Sequence, residues 1–265
     1  MISIVDMITP LLGWCGPLRH APLMQQAGLD YIEAQLVPLH IEDDAAFAQA
    51  KSLIKALPLP ALAFSYLFPH DFRLVGPDKN DARNRAYFDR VVHLLAMANA
   101  RVVVLGSGWT RNIPDGWTRR DAEDDFLHAL DWCADALCGC GTTLVIEPLN
   151  RKESTLVNSV ADGARLAHTL NRPEVRALAD FYHMDEEAEP LGEVNAHAGS
   201  LAHVHLADTG RLNPGTGSYD YAAFFGHLKA GGYTGLLSSE CGIDGDPVIG
   251  MRESAAFLRR AWDAA

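Results

Sequence analysis

The sequence has no long apolar run. No window approaches about 18 uncharged apolar residues, which excludes a helix that crosses a bilayer and a membrane partner. The amino terminus, MISIVDMITPLLGW, also lacks the basic start and extended apolar stretch of a secretory signal, so a soluble, cytoplasmic protein is expected. Basic residues are scarce beside acidic ones, 22 against 34. The resulting charge of −12 repels phosphate backbones and anionic headgroups, so no nucleic-acid partner is expected. Cysteines number five, an odd count, and Cys133, Cys138 and Cys140 lack the paired C-x-x-C spacing of a zinc site. They read as reduced thiols, mostly buried, with Cys241 lining a pocket. There is no repeat of fixed period, no low-complexity tract and no linker rich in Pro, Gly or Ser.

What is present is enough apolar content, 48% of 265 residues, to bury a large core in a single domain spanning residues 1–265. Short apolar or β-branched runs alternate with longer stretches of helical spacing, the pattern of repeated βα units around a parallel sheet. Eight strands are expected: ISIV at 2–5, YIEAQ at 31–35, ALAF at 61–64, RVVVL at 101–105, TTLVIE at 142–147, VRALAD at 175–180, LAHVH at 201–205 and GLLSSE at 235–240. Helices are expected between them, among them 86–100, with an apolar face that includes Phe88, Val91 and Leu95, and 121–137, with acidic residues at its start. Eight such units in this length predict one α/β domain, a (β/α)8 TIM barrel with eight parallel strands. The longest loops, 65–80, 106–120 and 206–219, carry Trp109, Arg111, Trp117 and Arg211, and all follow strands, on the face where this fold places its active sites.

Four of the last strands end in metal-type residues: Glu147, Asp180, His205 and Glu240. A strand end holds a side chain rigidly at an open rim, so four on consecutive strands converge on one point. Three carboxylates and an imidazole suit a hard or borderline divalent cation, with manganese first and magnesium or cobalt as alternatives. Glu33, at the end of strand two, is read as facing the rim, in a role that is either structural or substrate-touching. His203 shares a face with His205 one layer deeper and reads as a satisfied core histidine. Trp14 and Trp109 either wall the site at the rim or simply pack. The G-S-G at 106–108 lacks the spacing of a phosphate loop and reads as flexible.

With these residues in order, the chain resembles the xylose isomerase-like barrels and, within them, the ketose 3-epimerases typified by D-tagatose and D-psicose 3-epimerase. The resemblance rests on E-P-L-N-R-K-E from Glu147 to Glu153, D-F-Y-H-M from Asp180 through His183, H-V-H-L-A-D-T-G-R from His203 to Arg211, and the final Glu240. It implies one divalent ion on Glu147, Asp180, His205 and Glu240, with Glu147 and Glu240 as the acid–base pair that removes and returns a proton at C3 through an enediolate. It also implies that His183 and Arg211 grip the carbonyl oxygen, that Glu153 contacts sugar hydroxyls, and that the protein is a homodimer or homotetramer. Hydroxypyruvate isomerase, inosose dehydratase and aldose–ketose isomerases share the same carboxylate and metal logic and stay open as alternatives. A related apurinic-site endonuclease fits less well, because Ser65 and Gly106-Ser107 stand where its additional histidines would be needed. A sugar-binding barrel without catalysis is disfavoured by the retention of both acid–base glutamates.

Overall fold

Eight short strands are too narrow to bury both their faces except by closing on themselves under a coat of helices, and this chain does so. The structure, a computed structural model, describes residues 9–265. Its strands are β1 (Leu12–Gly16), β2 (Tyr31–Gln35), β3 (Ala61–Ser65), β4 (Val102–Leu105), β5 (Thr143–Ile146), β6 (Val175–Asp180), β7 (Leu201–Leu206) and β8 (Leu236–Ser239). They pair in sequence order, all parallel, and β1 pairs with β8 to close the barrel. The (β/α)8 expectation therefore holds.

The first strand is a correction. ISIV at 2–5 lies outside the described residues, and the strand that opens the barrel is LGWCG at 12–16. That segment carries two glycines and no β-branched residue, so local propensity does not announce it. Gly13 is explained by its neighbour: a Cβ there would fall 2.3 Å from the ring of Tyr31, which fills the barrel floor and donates to the Leu237 carbonyl at 2.8 Å. Inside the barrel, Tyr31, Ala63, Val102, Val104, Val145, Leu178 and Leu236 form a core separate from the larger one between strands and helices. Trp14, on the alternate face of β1, belongs to the outer core and packs there.

Helices coat the outside: α1 (Ala21–Ala27), α2 (Asp44–Lys55), α3 (Asp81–Ala98), α4 (Arg119–Leu137), α5 (Val160–Leu170), α6 (Phe181–Glu186), α7 (Glu193–Ala196), α8 (Tyr221–Ala230) and α9 (Pro247–Ala264). The expected helix at 86–100 begins earlier, because Asn80 caps it by accepting from the Arg83 amide, and ends earlier, because Asn99 turns left-handed. That expected at 121–137 begins two residues sooner, behind a reciprocal capping box of Thr118 and Asp121. Among the described residues no helix is long and apolar enough to cross a membrane. All five cysteines are free, but the expectation that most are buried fails: only Cys133 is fully buried, and Cys138 is exposed.

Candidate metal centre

The parallel register brings the strand-end residues together. Asp180 on β6 lies beside His205 on β7, while the amide of Glu147 donates to the Leu105 carbonyl at 3.3 Å and that of Glu240 to the Leu206 carbonyl at 3.0 Å. Each residue of the set Glu147, Asp180, His205 and Glu240 offers one ligand atom, and the four atoms lie within 4.8 Å of one another. The group is buried and could hold a metal ion. His205 faces it through Nδ1, which is 2.8 Å from Glu147 Oε1, 3.6 Å from Asp180 Oδ2 and 3.7 Å from Glu240 Oε2.

The donor chemistry fits a divalent cation. Three carboxylates crowd into a space almost closed to water, where like charges are poorly screened. Burial and the charge of Glu147 accordingly push the Glu240 carboxyl up to about 7, which is the mark of a site short of positive charge. Room for the cluster is built in. At Gly106, just past β4, a Cβ would lie 1.6 Å from Glu147 Oε2, so the residue read as loop flexibility is the space in which that carboxylate sits.

Supporting groups hold the four residues from several sides. Asp180 doubles as the cap of α6, its Oδ1 accepting from the His183 amide at 3.0 Å, which leaves Oδ2 for the cluster. Arg211 donates to Glu240 Oε2 at 2.7 Å and to Glu153 Oε1 at 3.4 Å, and its guanidinium lies over the ring of Tyr182. On the other oxygen of Glu240, the Cys15 thiol donates at 3.8 Å, and it also lies 3.1 Å from Ser65 Oγ. Arg111, buried completely, donates to the carbonyls of Leu105 and Glu147 and so ties the ends of β4 and β5 together. Burial pushes its guanidinium down to about 10, still high enough to keep it charged at neutral pH.

His183 has a defined tautomer. Its Nδ1 is 3.1 Å from the Asn150 amide nitrogen and 3.0 Å from Asn150 Nδ2; a backbone N–H can only donate, so Nδ1 accepts and the ring proton sits on Nε2. Among the described residues buried Nε2 has no hydrogen-bond partner, so its N–H is available to donate. Beside the cluster, a cavity of about 90 Å³ is lined by Tyr66, Trp109, Glu147, Glu153, Arg211 and Glu240, together with four smaller or apolar residues. Trp109 therefore walls the cavity, stacked on His70, whereas Cys241 lies outside its lining.

Glu33 requires a second correction. It lies in the middle of β2, not at a rim, and is wholly buried beneath His205. Sequence reasoning placed Arg111 on the active-site face without a role, and it missed Asn150, Cys15 and Tyr66 as neighbours of the site. The last had a local signal only in structure, a left-handed backbone (φ 51°) on an aromatic residue at the cavity wall.

The family described as xylose isomerase-like TIM barrel matches residues 22–261. A 3-dehydro-D-guloside 4-epimerase of Escherichia coli (strain K12) is 31% identical over 182 residues, 64% of this chain and 68% of that protein. An L-ribulose 3-epimerase of Mesorhizobium japonicum is 33% identical over 166 residues, 62% of this chain but only 54% of that protein. The solved structure of an L-ribulose 3-epimerase superposes with a TM-score of 0.82 at 24% identity, covering 96% of this chain and 95% of the other, and so shares the barrel.

Proposed function

The chain belongs to the xylose isomerase-like TIM-barrel family, and on that premise we propose that it is a divalent-metal-dependent sugar epimerase that acts on a ketose at C3. The observation that carries the reading is the buried group of Glu147, Asp180, His205 and Glu240 beside a cavity edged by Arg211 and Glu153. These four residues would hold the ion, with manganese first and magnesium or cobalt as alternatives. When bound, the ion supplies Lewis-acid stabilisation to charge developing on the substrate carbonyl.

The remaining work falls to side chains. Glu147 follows β5 and Glu240 follows β8, so they reach the cluster from separate parts of the rim. One takes the proton from the carbon next to the carbonyl, the other delivers a proton to the opposite face, and the roles exchange in the reverse direction. Arg211 orients Glu240 through its 2.7 Å contact. The His183 Nε2–H and the Arg211 guanidinium are donors whose bonds strengthen as the carbonyl oxygen becomes an enediolate, and Glu153 accepts from sugar hydroxyls. Arg211 is the one cationic side chain of the cavity lining among the described residues, which favours a sugar without phosphate. The reading extends to a cytoplasmic homodimer or homotetramer.

A second reading has its own support: the Escherichia coli relative, matched over 68% of its length, is a 4-epimerase of a 3-dehydro sugar. There the proton again leaves a carbon beside a carbonyl, now C4 of a keto-glycoside. Incubation of the Mn2+-loaded protein with candidate ketoses and 3-keto-glycosides in D2O separates the two. Deuterium at C3 of a ketose with inverted product is the expected result. Label at C4 of the keto-glycoside favours the second reading, label at C1 or C2 marks an aldose–ketose isomerase, and no exchange with any sugar contradicts all three.

A further inference from the structure

A carboxylate buried in the barrel floor has no part in the chemistry above. Glu33 points inward from β2 and is wholly screened from water, and its only ion-pair partners among the described residues are two imidazoles. Its Oε1 lies 2.8 Å from Nε2 of His205 and its Oε2 2.7 Å from Nε2 of His203, residues 172 and 170 positions away on the opposite side of the barrel. His205 thus has one nitrogen aimed down at Glu33 and the other, Nδ1, aimed up at Glu147, Asp180 and Glu240.

Only one assignment of protons serves both ends. A carboxylate oxygen accepts, so Nε2 carries the hydrogen and Nδ1 keeps the lone pair that a cation needs. We propose that Glu33 is a positioning residue for the metal centre: it locks His205 in the Nε2–H form, aims Nδ1 at the other ligands and strengthens that nitrogen as a donor. The inference rests on the reading of His205 as a metal ligand. His203 completes the arrangement by occupying the second oxygen of Glu33, which stops the carboxylate from rotating away. The Nδ1 of His203 has no partner among the described residues, and its ring proton is assigned to Nε2, where it is given to Glu33.

The alternative, that Glu33, His203 and His205 form a cation pocket of their own, fails on geometry. Contacts of 2.7–2.8 Å are already filled by ring protons, all three residues are sealed from solvent, and a neutral imidazole keeps one lone pair, so His205 cannot ligate two ions.

Two measurements test the proposal. In Zn2+-loaded wild-type protein labelled with 15N-histidine, ring shifts are expected to show His205 protonated at Nε2 and coordinated through Nδ1; a proton on Nδ1 with Nε2 on the ion overturns it. By calorimetric titration, Glu33→Gln, which offers one acceptor and one donor where both rings need an acceptor, is expected to bind Mn2+ about 10- to 100-fold more weakly. Wild-type affinity in a folded Glu33→Gln protein also overturns it. If that variant fails to fold, the wild-type ring measurement decides alone. Wild-type protein that binds neither ion sinks the metal reading itself, a failure distinct from either of these.

Discussion

At the scale of single residues, the cluster depends as much on an atom left out as on the side chains that form it. A methyl at Gly106 would fall inside the van der Waals radius of Glu147 Oε2, and the other oxygen of that carboxylate already lies 2.8 Å from His205 Nδ1. Gly106→Ala is therefore expected to displace Glu147 while the strands stay paired. A displacement of about 1 Å at a catalytic group costs on the order of 100-fold in kcat/KM. The variant should unfold at nearly the wild-type temperature yet show that loss in deuterium exchange, and an active Gly106→Ala protein would remove the spatial argument for Glu147. The convergence of Glu147, Asp180, His205 and Glu240 was legible in the sequence because each closes an apolar run. Gly106 was not, since its reason is a side chain 41 positions away.

At the scale of elements, helix starts are joined to neighbouring segments by side chains, and one such joint responds to pH. Glu189, between α6 and α7, accepts from the amide of Val160, the first residue of α5. A helix start favours a carboxylate, but burial outweighs this and pushes the Glu189 carboxyl up from 4.5 to about 7. Between those values the folded chain holds a proton that the unfolded chain has released. The stabilisation is therefore complete below about pH 4.5 and lost as pH rises through about 7. Urea unfolding at pH 5 and pH 8 should show Glu189→Gln reducing the fall in stability seen for wild type between the two; an equal fall in both proteins contradicts the assignment. Element existence was readable from sequence for seven strands, because their apolar runs are local. The first strand was not, because LGWCG is shaped by the Tyr31 ring that it must accommodate.

At the scale of the whole molecule, closing eight strands turns distant residues into neighbours, and the sequence records that closure only in part. The order Glu147, Asp180, His205, Glu240 reveals a rim because each side chain stands at or beside the end of a strand. Glu33 sits in the middle of one, and nothing local tells which interior layer it occupies or that β7 faces it across the barrel. Arg111 is similar: a loop arginine by sequence, it becomes a buried tie between two strand ends once the fold forms. The central claim is that one divalent ion and two carboxylates at this rim move a proton beside a sugar carbonyl. The most direct measurement is deuterium incorporation into ketoses and 3-keto-glycosides by chelator-treated protein, before and after Mn2+ is restored, with Glu147→Gln and Glu240→Gln in parallel. The account predicts no incorporation without metal, recovery at about one ion per chain, and rates lowered about 10²- to 10⁴-fold in folded variants; exchange that persists without metal, or in Glu240→Gln at the wild-type rate, contradicts it.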